Sequence, residues 1–284
     1  TALYPFKLEP SLHVKVWGGR KLSSELNKPL PTQEPYGEAW ELHDTSIVAN
    51  GALSGKSLQD ILAKHGTDLI GKHNNPDEGF PLLAKIIDAS DWLSIQVHPN
   101  DEQAKELEGD PRGKTEAWVI LAADENAQLM IGVKPGTSRE IMAQAIRDNR
   151  LEDYAVFVNV KVGDVLYIPA NTVHALGPGL LIYEIQQSSN ITYRLYDWGR
   201  VGLDGKPREL HIEKGVQVSN LDSLPNITHP EGELIVDGDY FQTHRHELSD
   251  TKLIIPTNSK FHALTCIDGE ITITSEGYDE VVLY

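Results

Sequence analysis

Apolar and polar positions alternate with a period of two along much of this chain, the pattern of strands with one dry and one wet face. In Leu93-Ser94-Ile95-Gln96-Val97-His98-Pro99, Ser94, Gln96 and His98 fall on one face and Leu93, Ile95 and Val97 on the other. Tyr36–Leu42 predicts a strand with Glu38, Trp40 and Leu42 on one side. Residues 114–121, 156–162, 180–185 and 191–195 predict further strands, and Gly163-Asp164 turns the chain into another at 165–169. Residues 80–89 form a continuous apolar run of strand length, which implies burial on both faces.

Elsewhere the pattern turns helical. Ser57 suits an N-cap and Gly66 a C-terminal stop for a helix over 57–66. Residues 101–109 open on acidic side chains, favoured in a first helical turn. A Ser138 cap and a stripe of Ile141, Ala145 and Ile146 predict a helix over 138–149. Residues 211–218 read as a short helical linker of ambiguous period. Residues 1–50 read as irregular, broken by Pro5, Pro10, Pro29, Pro31 and Pro35, with Trp17-Gly18-Gly19-Arg20 as a turn. From about Asp204 the texture changes, and short strands are expected at 241–247, 253–255, 261–266, 270–275 and 281–283. The expectation is a mainly β protein: a jelly-roll barrel with helical insertions and a smaller second β part at the C-terminus. Its domains would be 1–203, a connector at 204–229, and 230–284.

Composition narrows the function. With 284 residues, the chain has room for one large domain or two ordinary ones. A net charge of -17 disfavours nonspecific nucleic-acid or anionic-membrane binding, since both rely on basic surface. An anionic substrate would need a local cationic pocket. The single cysteine, Cys266, excludes an intrachain disulfide framework and fits a reducing, cytoplasmic compartment. No apolar run approaches the roughly 18 residues of a membrane span. The N-terminal Thr1-Ala2-Leu3-Tyr4-Pro5-Phe6 lacks the basic and long apolar regions of an uncleaved signal peptide.

The polar face of the central strand carries an imidazole, an amide and a hydroxyl. Two later residues are ready to join it: Glu116 in Gly113-Lys114-Thr115-Glu116-Ala117-Trp118, and His174 in Ile168-Pro169-Ala170-Asn171-Thr172-Val173-His174. A lone Gln-x-His is most often just a polar strand face, but three strands each offering a ligand-type residue strengthen the metal reading. The mixed nitrogen and oxygen donors suit zinc or another first-row divalent ion in an open site. Lys114 lies two residues before Glu116 and so shares its strand face. His244-Arg245-His246 imitates a metal pair, yet no nearby carboxylate or third histidine completes it. Gly132-Val133-Lys134-Pro135-Gly136-Thr137-Ser138 lacks the ending of a phosphate loop.

Gly163-x5-Pro169-x-Asn171-x2-His174 follows the second cupin signature, with Asn171 standing where that signature prefers glycine. Asparagine tolerates the left-handed conformation, so the turn survives. Together with the motifs around Gln96, Glu116 and the 184–194 segment, this makes the chain resemble the type I phosphomannose isomerases, especially their short bacterial form. The likeness runs from about Tyr4 to Arg200. It implies a cupin barrel in the first domain and one zinc ion per chain, held by Gln96, His98, Glu116 and His174. It also implies that Arg194 and Lys114 match the family's active-site arginine and lysine, and that Glu184 matches an acidic pocket position. The implied substrate is a small sugar phosphate. The implied reaction interconverts mannose 6-phosphate and fructose 6-phosphate through a cis-enediol.

Within that reading Arg194 grips phosphate or stabilises the enediolate, against a plainer role as an ion pair with Glu184 or Asp197. Lys114 and Ser94 bind substrate, and Glu184 is the candidate base. Two departures stand out. Asn190 occupies a place where the family often has aspartate, and the second cupin half stops early after Asp268-Gly269-Glu270-Ile271. A different metal-cupin enzyme and a noncatalytic phosphosugar-binding cupin remain open alternatives, as does the oligomeric state.

Overall fold

Two antiparallel sheets carry the architecture in the computed structural model, which describes residues 2–284; Thr1, in the N-terminal stretch considered above, lies outside them. The larger sheet runs, in spatial order, Ile227–Thr228, Val165–Ile168, Glu116–Ala123, Leu180–Gln187, Leu82–Ala89, Tyr36–Leu42 and Ser11–Gly19. The smaller runs Tyr193–Tyr196, Ile95–Val97, His174–Leu176, Gln128–Val133 and Ala155–Asn159. Ile87, Trp118, Ile120, Leu166, Ile168 and Ile182 of the first sheet pack with Leu129, Ile131 and Leu176 of the second. Their inner faces therefore enclose one core, as in a jelly-roll barrel. The fold is mainly β and of the cupin type.

The inner face changes character partway along each strand. In Glu116–Ala123, Trp118 and Ile120 point inward with Glu116; in Leu180–Gln187, Leu180 and Ile182 do so with Glu184 and Gln186. In Leu82–Ala89 the inward set is Lys85, Ile87 and Ala89. Half of the barrel is thus filled with aliphatic side chains and the other half lined with charge. Outside, Ile95, Val97, Met130 and Leu195 pack against Met142, Ala145, Ile146 and Val218 of two helices, Arg139–Arg147 and Ile212–Val218.

The predicted helix caps appear as hydrogen bonds. Ser57 and Asp60 form a reciprocal capping box on the helix Leu58–His65, and Asn100 and Gln103 do the same for Asp101–Glu108. Other expectations fail for identifiable reasons. Trp17, Gly18 and Gly19 are no turn; they end a nine-residue strand, Ser11–Gly19, in a region that reads as irregular. A Cβ on Gly18 would lie 2.5 Å from Pro35 O, so the glycine serves a close approach between two strands of the sheet rather than a reversal. Residues 253–255 and 261–266 form no strands, because no neighbouring segment completes their ladders. The C-terminal β part instead consists of two hairpins, Leu234–Asp237 with Gln242–His244 and Ile271–Ile273 with Val281–Leu283. Ile235, Val236 and Phe241 of the first cover Ala117, Val119, Val165 and Ile185 on the outside of the larger sheet. No helix among the described residues is long and apolar enough to cross a membrane.

If the two sheets share this core, Ile120→Ala, which empties a site only 1% exposed, lowers stability by about 2–5 kcal/mol. Chemical denaturation reads this as a lower midpoint at unchanged slope; a loss under about 1 kcal/mol contradicts the packing described.

Candidate active site

Three side chains from three strands meet in the polar half of the barrel. Glu116 opens the strand Glu116–Ala123, His174 opens His174–Leu176, and His98 follows directly on Ile95–Val97. All three are buried, and one ligand-type atom from each lies within 4.8 Å of the others. His174 Nε2 is 3.2 Å from Glu116 Oε1, and His98 Nε2 is 3.6 Å from Glu116 Oε2. The distal ring nitrogens are engaged by backbone: His98 Nδ1 lies 2.8 Å from Ile191 O, and His174 Nδ1 lies 2.8 Å from Thr172 O. A carbonyl only accepts, so each Nδ1 carries the proton and each Nε2 turns a lone pair toward the carboxylate.

Electrostatics reinforce that protonation pattern. Burial, with the Lys114 ammonium beside it, holds the His98 imidazole well below its usual range. Burial would raise the Glu116 carboxyl, but the Lys114 ammonium beside it outweighs that and the group is held well below the ordinary carboxylate range. Glu116 is therefore a fully buried anion, and neither of its oxygens receives a well-directed hydrogen bond. The Lys114 ammonium is drawn to this point, 2.9 Å from Glu116 Oε2 and 3.2 Å from His98 Nε2. A buried carboxylate facing two imidazole lone pairs is a donor set that fits a divalent cation.

Gln96 borders the cluster. It sits opposite His174 in register, with its Nε2 3.4 Å from His174 Nε2 and its Oε1 3.4 Å from Ser94 Oγ. Turning the amide over brings Oε1 to the imidazole. Asn171, at φ 72°, adopts the left-handed conformation and donates its backbone N–H to His98 O at 2.7 Å. Its side chain donates to Gln103 Oε1 at 2.6 Å, so the turn ties the two histidine-bearing segments together.

From Glu116 a ladder of alternating charges runs to the rim. Lys114 stands 3.9 Å from Glu184, Glu184 3.2 Å from Lys85, Lys85 3.3 Å from Glu38, and Glu38 3.1 Å from Lys15. Trp118 Nε1 donates to Glu184 Oε2 at 2.9 Å, and Trp40 Nε1 to Glu38 Oε2 at 3.0 Å. Burial would lower the Lys85 ammonium, yet Glu184 and Glu38 raise it above the usual lysine range. Burial would likewise raise the Glu38 carboxyl, but Lys85 and Lys15 bring it down to about 2.

The ladder from Lys15 to Lys114, with Gln96 and Ser94, lines a cavity of about 320 Å³ together with Asn190, Thr192, Arg194 and Arg208, and Glu116 lies behind Lys114. Arg194 makes no ion pair with Glu184 or Asp197; its Nη1 donates to Glu209 O at 2.9 Å and its Nε is buried without a partner. Asp197 pairs instead with Arg200 and Arg208. His244 and His246 stack on the exposed C-terminal hairpin, away from this cavity. Sequence reasoning missed Glu38 and Lys85 as pocket residues. The available signal was a lysine inside an otherwise apolar run, a position where an unpaired charge is seldom tolerated.

Because the Glu38 carboxyl sits at about 2 in the folded chain, its stabilising contribution is fully present above the ordinary glutamate value of roughly 4.3. It is lost as pH falls toward about 2. Glu38→Gln is expected to flatten the acid limb of the stability profile measured by denaturant melts; an unaltered limb shows that Glu38 is not held by Lys85 and Lys15.

Comparison with known proteins gives the family. A family profile described as "Phosphomannose isomerase type I, catalytic domain" matches residues 5–134. The mannose-6-phosphate isomerase of Streptococcus mutans is 37% identical over 86% of this chain and 79% of its own length. Mannose-6-phosphate isomerase ManA of Bacillus subtilis is 34% identical over 96% of this chain and 89% of its own. A crystal structure of the mannose 6-phosphate isomerase from Bacillus subtilis superposes with a TM-score of 0.76 at 34% identity, covering 84% of this chain and 79% of that one. The apo phosphomannose isomerase from Salmonella typhimurium, at 17% identity, shares the fold with a TM-score of 0.69 over 98% of this chain and 91% of that one. Identity at this level over most of both sequences places the chain in the type I phosphomannose isomerase family.

Proposed function

We propose that this cavity interconverts mannose 6-phosphate and fructose 6-phosphate. The observation that carries the reading is the buried His98, Glu116 and His174 donor set beside a cavity lined by Lys114 and Arg194. In an acidic chain, such a pocket is where cationic side chains can meet an anionic substrate. One zinc ion per chain, held by Gln96, His98, Glu116 and His174, supplies a Lewis acid toward the sugar's carbonyl oxygen when bound.

Isomerisation moves a proton between C2 and C1 of the open-chain sugar, and the chain's own groups divide that work. Glu184 is the proposed base: it takes the C2 proton to give the cis-enediolate and returns it to C1, while the O2 proton passes to O1, through the cis-enediol, so that the carbonyl moves from C1 to C2. Its Oε1 is buried without a directed hydrogen bond, while Trp118 fixes its Oε2. Lys114 and Ser94 hold sugar oxygens, and the Arg194 fork, bearing an unpartnered Nε, meets developing negative charge or the phosphate. Asn190 lines the same cavity and contributes a neutral amide rather than a carboxylate, so no proton step is assigned to it. In this reading residues 1–203 carry the reacting side chains and 230–284 are the C-terminal β domain; the connector 204–229 packs back on the barrel, adding the edge strand Ile227–Thr228 and placing Arg208 at the cavity. The single cysteine supports a reducing, cytoplasmic setting. Relatives named as isomerases favour this reading over an oxygenase-like or noncatalytic cupin.

His98→Ala and His174→Ala are each expected to lose bound metal and isomerase activity together, as read by elemental analysis and a coupled assay. Zinc retained at wild-type stoichiometry in His174→Ala contradicts the ligand assignment. Arg194→Ala should keep its metal and lose roughly a hundredfold or more in turnover, the scale of a lost charge-stabilising donor. Wild-type turnover in that variant removes Arg194 from the mechanism.

A further inference from the structure

We infer that Arg208 is a second anion-binding side chain of this site, closing with Arg194 on the phosphate group of the substrate; the inference rests on the phosphosugar reading above. It follows from asking which cations in the cavity are already committed. Lys15, Lys85 and Lys114 each face a carboxylate of the ladder, at 3.1, 3.2 and 2.9 Å. Their charge is matched within the chain. Arg194 has no carboxylate partner among the described residues, and its Nε is buried and unsatisfied.

Arg208 is held differently. Its Nε and Nη2 engage Asp197 at 2.8 and 2.5 Å, which leaves Nη1 without a partner among the described residues. Asp197 also accepts from Arg200 Nε and Nη2 at 3.2 and 3.1 Å, so one buried carboxylate is shared between two guanidinium groups. Arg200 has a second carboxylate in Asp91, 3.3 Å from its Nη1, so three arginines face two aspartates and one positive charge is left in excess, on the side where Arg194 and Arg208 line the cavity. A phosphate monoester, mostly dianionic near neutral pH, is the kind of group that such an excess draws in. The Arg194 guanidinium feels the crowding: burial and then the nearby Arg208 charge lower it from its ordinary range.

The backbone brings Arg208 to this place. Residues 202–206 fold back through a Gly202 N–H to Lys206 O hydrogen bond of 2.8 Å, and Val201 pairs with Pro207. Beyond them His211 N donates to Arg194 O at 2.8 Å, and Arg194 N donates to His211 Nδ1 at 3.1 Å. Arg208 thus sits on a segment laced to the strand that carries Arg194, and both guanidinium groups line the cavity. Asp197 is the positioning residue. It fixes one edge of the Arg208 fork and leaves the other for phosphate oxygens.

The test compares wild-type enzyme, Arg208→Ala and Arg208→Lys by steady-state kinetics with mannose 6-phosphate, with inorganic phosphate as competing probe. Arg208→Ala is expected to raise KM and the phosphate inhibition constant in parallel, by roughly tenfold to a hundredfold for a lost charge-assisted contact, and to leave kcat largely unchanged. Arg208→Lys, which keeps the charge without the fork, should fall between the two. Unchanged KM and phosphate inhibition in Arg208→Ala overturn the assignment. A lower melting temperature and kcat with unaltered phosphate inhibition also overturn it, in favour of a structural role. If the wild type does not isomerise mannose 6-phosphate, the proposed function fails separately, and calorimetric titration of inorganic phosphate decides on Arg208. Equal binding by wild type and Arg208→Ala, or binding by neither, then rejects it.

Discussion

The line of charge from Lys15 through Glu38, Lys85, Glu184 and Lys114 to Glu116 is the constraint around which this barrel is built. It begins at the rim, where the Lys15 side chain is 34% exposed, and ends at Glu116, 1% exposed. Each member is tolerable in the interior only because its neighbours bear the opposite sign. Removing one partner from a buried pair costs about 3–5 kcal/mol, because a bare charge is left behind. Replacing a whole pair by well-packed aliphatic side chains is often neutral or stabilising. Stability alone does not account for three lysines and three glutamates inside a barrel. A pocket that must hold polar groups in fixed positions does.

The ladder also explains the split interior. Ile87, Trp118, Ile120 and Ile182 fill one half of the space between the sheets and supply the packing that keeps the strands in register. Lys85, Glu116 and Glu184 follow on the same inward faces and are held by that packing. A site set on strands is positioned more tightly than one on loops, because the pleat fixes each Cβ direction. Here the rigid half and the chemical half are successive turns of the same alternation, so a register slip of one residue would turn both outward.

That alternation is also why much of the site is legible from the chain itself. Gln96, His98, Glu116 and His174 are ligand-type residues on three strands, Gln96 and His98 sharing one, and the barrel brings them to one place. Asn171 declares its left-handed turn by residue type. The strand Ser11–Gly19 is hidden because Pro10 before it and its own Gly18 and Gly19 speak of loops, whereas Gly18 serves close contact with 35–37 and Gly19 close contact with Asp88. Lys85 and Glu38 are hidden for another reason: a charge in an apolar strand declares that it is partnered, not with whom. Asp197 and its two arginines lie further out of reach, since the path of 198–211 fixes their meeting and no local period records it.

Charge balance links these parts. Counted with neutral imidazoles, the ladder is itself neutral, with three lysines against three glutamates. A divalent cation at the histidine cluster would therefore leave the polar half of the barrel with excess positive charge, and the arginines at residues 194 and 208 line the same cavity. In low dielectric such an excess acts over several ångströms and is screened far less than on the surface. The chain is acidic overall, so these cations give a sugar phosphate a locally favourable field inside the cavity. Lys114 belongs to both systems, 2.9 Å from Glu116 and 3.9 Å from Glu184. A change of charge at the cluster must therefore be felt by the proposed base one rung away.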